Sequence, residues 1–131
     1  MTLHAIKRRD PRNETEESIQ RAAIQLLMLC AHPKTVFYHV PNGEARSKVT
    51  GARLKAMGVL PGVADVSIVL PDGRAAFVEI KTSIGRQSPE QKEFQRRVMN
   101  AGGLYAVCRS CDDVRSVLGS WGALRGVERQ S

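Results

Sequence analysis

No run of apolar residues in this chain is long enough to cross a bilayer. The longest, Ala22 to Ala31, falls well short of the roughly 20 residues a spanning helix needs, and it is interrupted. The opening Met-Thr-Leu-His-Ala-Ile-Lys-Arg-Arg lacks the apolar segment of a secretion signal. The expectation is therefore a cytoplasmic protein with no membrane partner. Cysteines number three, an odd set that excludes a fully paired disulfide framework. Cys108 and Cys111 form a Cys-x-x-Cys, but zinc would need two further ligands, and the only plausible suppliers are Cys30, His32 or His39. Buried or half-buried thiols at a strand end are the simpler reading. Acidic residues are also in deficit, 13 against 20 Lys plus Arg, a net charge of +7. That balance favours a polyanionic partner, most often nucleic acid, although it serves solubility as well. Repeats and low-complexity segments are absent. What remains is a chain of 131 residues, 42% hydrophobic and 25% charged, enough for one domain with its own core.

The organising stretch is Asp65 to Lys81. Two apolar, β-branched runs flank Pro71-Asp72-Gly73, which predicts a hairpin with a three-residue loop and Gly73 in the left-handed position. That loop sets the register: Leu70 faces Arg74, and Asp65 faces Glu79. Residues directly opposite share a face, with Cβ atoms about 5 Å apart. Lys81, two residues past Glu79, joins the same face. Val66, Ile68, Leu70, Ala76, Val78 and Ile80 make the other face wholly apolar. Two carboxylates placed opposite each other repel, and a divalent cation such as Mg²⁺ would offset that repulsion. The Lys81 ammonium would then orient an attacking water or help deprotonate it. A solvated hairpin end with unrelated charges is the plainer alternative.

The rest of the chain reads as follows. Residues 1–14 form a basic arm, either touching phosphates or frayed. A helix follows, capped by Asn13 or Thr15, with Glu14, Glu16 and Glu17 at the positive end of its dipole. Its buried stripe is Ile19, Ala23, Leu26, Leu27 and Cys30, and Glu16 with Gln20 continues that stripe towards the N-terminus. Acids in a first turn stabilise a helix without further function, so Glu16 carries two readings. Thr35 to Val40 is a strand, and the polar loop after it gathers His39, Asn42, Arg46 and Lys48 for phosphate contacts, or simply for solvation. A short helix, Gly51 to Met57, is capped by Thr50, ended by Gly58 and decorated by Arg53 and Lys55. Past Lys81, a loop with Gly85 and Arg86 leads to Ser88-Pro89-Glu90-Gln91. This tetrapeptide reads as N-cap, first helical residue and capping box, so Gln91 has a complete structural explanation. Phe94, Gln95, Val98 and Met99 form that helix's inward face. Leu104 to Cys108 is a buried strand, and Ser110 to Asp113 caps a last helix through Val114, Val117 and Leu118, with Trp121 at its end. Helix, strand, short helix, strand, strand, helix, strand, helix describes an α/β domain, a mixed central sheet flanked by helices on both faces. The divisions are 1–14 arm, 15–124 domain and 125–131 frayed end.

Asp65 followed by Glu79-x-Lys81 on the next strand resembles the PD-(D/E)XK, restriction-endonuclease-like core. The finer resemblance is to the VRR-NUC family. It is carried by Glu16-Glu17-Ser-Ile-Gln20, Tyr38-His39-Val40-Pro41-Asn42-Gly43, Gly51-Ala-Arg-Leu-Lys-Ala-Met-Gly58-Val, Pro61-Gly62-Val-Ala-Asp65, Val78-Glu79-Ile80-Lys81 and Gly85-Arg-Gln-Ser88-Pro89-Glu90-Gln91, six blocks in order between residues 15 and 121. A bare Glu-x-Lys says little; six ordered blocks say much. One departure is Ala64, where the family usually has proline before the aspartate.

The resemblance implies a nuclease dependent on Mg²⁺ or Mn²⁺. Asp65, Glu79 and the backbone carbonyl of Ile80 would hold the metal. Lys81 would position the attacking water, and Glu16, with Glu17 as fallback, would support a second cation or its waters. Gln91 would approach the metal or the scissile phosphate, in competition with its capping role. His39, Asn42, Arg46, Lys48, Arg53, Lys55 and Arg86 are the expected DNA contacts. With nothing beyond the nuclease module, the chain looks like the stand-alone bacterial or phage type. That type resembles Holliday-junction resolvases and acts as a homodimer, whose two-fold axis suits paired cuts in a four-way junction. The leading expectation is therefore an endonuclease of branched DNA serving DNA repair in a bacterial cell or phage-infected host. A non-catalytic binder of structured DNA is the alternative, but it would gain nothing from acids in a phosphate-facing site. A sequence-specific restriction-like enzyme is a third, with no obvious recognition element.

Overall fold

The computed structural model describes residues 14–41 and 48–126. The elements run α1 (Glu16–Cys30), β1 (Val36–His39), α2 (Lys48–Ala56), β2 (Val66–Val69), β3 (Ala75–Ile80), α3 (Pro89–Asn100), β4 (Leu104–Cys108) and α4 (Cys111–Ser120), the expected order. The four strands form one mixed sheet in the order β1-β2-β3-β4, antiparallel except for the parallel pair β3 and β4. A parallel pair needs a long crossover, and α3 supplies it.

The hairpin has the expected register. Val66 pairs with Val78 and Val69 with Ala75, and Leu70 N–H donates to Arg74 O at 2.9 Å. Gly73, at φ +88°, takes the left-handed position that closes a three-residue loop. One step beyond Val66 and Val78, Asp65 stands opposite Glu79.

Val66, Ile68, Leu70, Ala76, Val78 and Ile80 are all buried on one sheet face, under Ile19, Ala23 and Leu27 of α1 and Val114 and Leu118 of α4. Each large aliphatic side chain buried there contributes about 1.5–3 kcal/mol. The segment after α4 completes this layer: Ala123 and Leu124 are buried. His32 N–H donates to Ala123 O at 2.8 Å, and Arg125 N–H donates to Cys30 O at 2.6 Å. The opposite face carries α3, whose Phe94 packs edge-on against Phe77 (centroids 5.1 Å) and Tyr105 (6.1 Å). Helices therefore cover both faces.

Four expectations are corrected. Helix α2 begins at Lys48, so Thr50 lies inside it rather than capping it; no apolar periodicity marks its start. Cys30 is exposed, because α1 ends there and the chain turns away. Met99, in the last turn of α3, is 57% exposed, whereas Phe94 is the residue that the helix buries against the sheet. At α4, Ser110 accepts from Asp113 N–H, but the Asp113 carboxylate takes the amide of Arg109, one residue short of a reciprocal box. Thr15 caps α1 in a reciprocal box with Ser18, and Glu14 accepts from Cys111 N–H at 3.2 Å. Among the described residues no helix is long and apolar enough to cross a membrane.

Candidate metal and nuclease site

The strand ends of β2 and β3 carry the site. Asp65 Oδ2 accepts from Ile80 N–H at 2.7 Å, clamping the aspartate across the hairpin beside Glu79. The Asp65 carbonyl is held from the other side. It accepts from Val40 N–H at 2.9 Å and lies 2.7 Å from His39 Nδ1, which as partner of a carbonyl must be the protonated ring nitrogen. His39 thus fixes the start of β2, a role that reading it as a phosphate contact alone leaves out. Ala64, just before Asp65, is fully buried.

Glu79 is only 2% exposed. Burial above all, then its hydrogen bond and charge interaction with Asp65, raises its carboxyl from 4.5 to about 9; Lys81 opposes this and Glu16 adds to it. Oε1 accepts from Gln91 Nε2 at 3.2 Å, while Oε2 is buried without a donor. Only a proton shared with Asp65, or a cation, relieves such a pair. Lys81 continues the ladder, donating its N–H to Cys108 O at 3.0 Å.

Gln91 closes the cap of α3 and also reaches the Glu79 carboxyl. Its Oε1 accepts from Ser88 N–H at 2.8 Å, closing the capping box, while Nε2 reaches Glu79. A primary amide has an acceptor at one end and donors at the other, so neither role displaces the other. The connector before Asp65 holds α3 in this position. Gly62 has φ +79°, and a Cβ there would strike the Glu90 carbonyl and come within 2.8 Å of Gln91 N. The Pro-Gly block is thus a close backbone contact between the connector and the first turn of α3.

Of the two helix glutamates, Glu17 pairs with Arg21 at 3.1 Å, whereas Glu16 is the one Glu79 senses. Among the described residues, no three His, Cys, Asp or Glu side chains come together as a ready-made metal cage. Cys108 and Cys111 are thus not part of such a group among the described residues. The same absence sets Glu16 at the range of charge interaction rather than of shared ligation. The two carboxylates, one of them with a buried oxygen that has no partner, are a donor set suited to a hard divalent ion that keeps several waters.

Three features escaped the sequence reading as parts of the site. The amide of Gln20, one turn after Glu16, has both polar atoms buried without partners; its spacing from Glu16 was the available signal. Tyr105, beside Phe77 in the sheet register, feels both Glu79 and Asp65, and burial foremost pushes its phenol up to about 12. Arg109 Nη1 donates to Thr82 O at 2.7 Å and Gly85 O at 2.6 Å, pinning the loop that follows Lys81. Of the expected DNA contacts, Arg53 and Lys55 are exposed in the last turn of α2, and Arg86 and His39 are exposed near the site. Lys48 opens α2, but its side chain, together with Asn42 and Arg46, lies outside the described residues.

A model of the VRR-NUC domain matches residues 14–112. A solved structure described as a VRR_NUC domain protein is 23% identical, with a TM-score of 0.70 over 90% of this chain and 98% of that one. A second, described as a VRR_NUC domain, is 21% identical, with a TM-score of 0.54 over 79% and 92%. Among curated proteins no sequence matches. The domain match spans most of the chain, from the helix glutamates through the hairpin to α4: the chain belongs to the VRR-NUC family, a nuclease-type domain.

Proposed function

We propose that this protein is a metal-dependent endonuclease that hydrolyses phosphodiesters in branched DNA, in the manner of a Holliday-junction resolvase. The observation that carries the reading is Asp65 opposite Glu79, the latter buried with one oxygen unpartnered. Fold stability gains nothing from such a pair, whereas a divalent cation turns it into a binding site. Asp65, Glu79 and the Ile80 carbonyl would hold Mg²⁺ or Mn²⁺, with Glu16 supporting a second ion or its waters. The ion, when bound, supplies Lewis acidity towards the scissile phosphate.

The chain's own residues do the rest. Lys81 holds the attacking water and compensates the charge that grows on the phosphoryl oxygens as one P–O bond forms and the other breaks. Gln91 keeps Glu79 aimed. Arg53, Lys55, Arg86, His39, Asn42, Arg46 and Lys48 grip backbone phosphates, which serves shape recognition and not base readout. A homodimer would set two such sites about a two-fold axis, as paired cuts in a four-way junction require. The setting is the DNA repair of a bacterial cell or phage-infected host, in the cytoplasm.

The test is cleavage of a labelled four-way junction, a flap and a plain duplex, each with Mg²⁺, Mn²⁺ or EDTA, beside Lys81→Ala. Paired symmetric nicks in the junction, absent in EDTA and in the variant, support the proposal. Tight binding with no cut under either metal replaces it with a non-catalytic binder of structured DNA.

A further inference from the structure

Ile84 is 88% exposed, above every other large apolar side chain among the described residues. Single exposed apolar residues are ordinary; the setting of this one is not. Ile84 sits at the apex of a turn closed by Gly85 N–H to Thr82 O at 3.2 Å. Both ends of that turn are gripped from beneath by a single nitrogen of the partly buried Arg109, at 2.7 and 2.6 Å. The turn also leans on the candidate site: a Cβ on Gly85 would lie 3.5 Å from Cδ of Lys81. A stiff, β-branched apolar side chain therefore stands on a fixed mount, three residues beyond Lys81, with the exposed Arg86 close behind it.

We propose that Ile84 is a wedge that enters the base stack at a discontinuity in DNA and so selects branched over continuous duplex. The inference rests on the nuclease reading and names what that site would prefer. Apolar side chains carried on such elements insert between base steps, and the expense of insertion is the stacking that must be broken. At a branch point or flap the stack is already interrupted, so the wedge gains apolar contact there at little expense to the DNA. In continuous duplex the same insertion must first unstack a step. The Arg109 grip means that little freedom is lost when the turn meets DNA. Arg86, adjacent, meets the backbone phosphate.

The experiment uses a four-way junction carrying 2-aminopurine at the branch point and a duplex carrying it mid-sequence. Each is titrated with the whole protein in EDTA, where no metal-dependent cutting occurs. Wild type should raise the junction's fluorescence by unstacking the probe. Ile84→Ser should lose the rise, and Ile84→Leu should keep it. Cleavage with Mg²⁺ should then show the junction-over-duplex preference of Ile84→Ser reduced by about tenfold, and that of Ile84→Leu retained. An equal fluorescence rise with Ile84→Ser, or no rise with wild type, overturns the wedge. Failure of wild type to cut any DNA overturns the nuclease reading instead, and the fluorescence still decides the wedge. Ile84 makes no core contact, so its variants keep the fold.

Discussion

The side-chain amide of Gln91 joins two things that have no contact in sequence, the amide of Ser88 at the head of α3 and the buried carboxyl of Glu79 on β3. The helix cap and the site are thereby one hydrogen-bonded unit. Substitutions at Gln91 separate the halves. Gln91→Glu keeps an acceptor for Ser88 but has no donor for Glu79, so it should leave the melting temperature nearly unchanged in the presence of metal while cleavage falls tenfold or more, about what one lost positioned hydrogen bond implies. Gln91→Ala should lose cleavage as well as about 1 kcal/mol of stability. Thermal melts and single-turnover cleavage on the same samples check both; equal melting temperatures for the two variants would uncouple cap and site.

Glu79 makes the metal-free protein sensitive to pH. Its carboxyl stands at about 9 in the folded chain against an ordinary 4.5. Below 4.5 the group is protonated whether folded or not, and its contribution to stability is fully present. Above that, the unfolded chain releases the proton more readily, so stability falls with rising pH until the folded carboxyl also ionises near 9. Melts of the metal-free protein from pH 5 to 9 should show this decline. Because a divalent ion must displace the same proton, the melting-temperature gain from added Mg²⁺ should grow over the same range.

Replacing the acid by its amide tests the same cause from the other side. Glu79→Gln removes a buried ionisable group beside Asp65, so at pH 8 the metal-free variant should melt higher than wild type, flatten the pH dependence, show no gain from Mg²⁺ and fail to cut DNA. A variant that melts lower at pH 8 would show that the carboxyl pair is not a source of strain.

Glu16 and Glu17 are neighbours with different surroundings: Glu17 is committed to Arg21, and Glu16 is the one whose charge reaches Glu79. Glu16→Gln should lower cleavage several-fold or more, with a stronger dependence on metal concentration. Glu17→Gln should change neither, at a loss of about 0.3–0.5 kcal/mol from its exposed helix pair. Metal titrations of cleavage distinguish them.

Gly62 carries α3 at the right distance from Asp65. Gly62→Ala puts a methyl group into the backbone of Glu90 and Gln91 from a left-handed conformation. It should cost about 1–3 kcal/mol and lower cleavage by displacing Gln91. Gly73→Ala, with open space around it, should cost less and leave cleavage alone; denaturant melts and cleavage rates on both variants make the comparison.

Local rules alone dictate a good part of this protein. The loop chemistry of Pro71-Asp72-Gly73 sets the hairpin register, a period of two assigns its apolar face, and together they place Asp65 opposite Glu79 before any fold is known. The capping box at Ser88 and the stripe Ile19, Ala23, Leu27 are local in the same sense. Tertiary structure decided the rest, because it depends on what packs where. Residue spacing could not tell that α3 would cover the carboxylate face and bury Glu79, nor that Gln91 would serve two partners. Helical spacing put Glu16 on the inward stripe with Gln20, but it could not tell that its charge reaches Glu79 on another strand. Nor could it see that Arg109, more than 20 residues away in the chain, holds the loop beside Lys81. Backbone hydrogen bonds and hydrophobic periodicity act between near neighbours and can be read along the chain; desolvation and charge coupling act through space, and only the folded arrangement sets them.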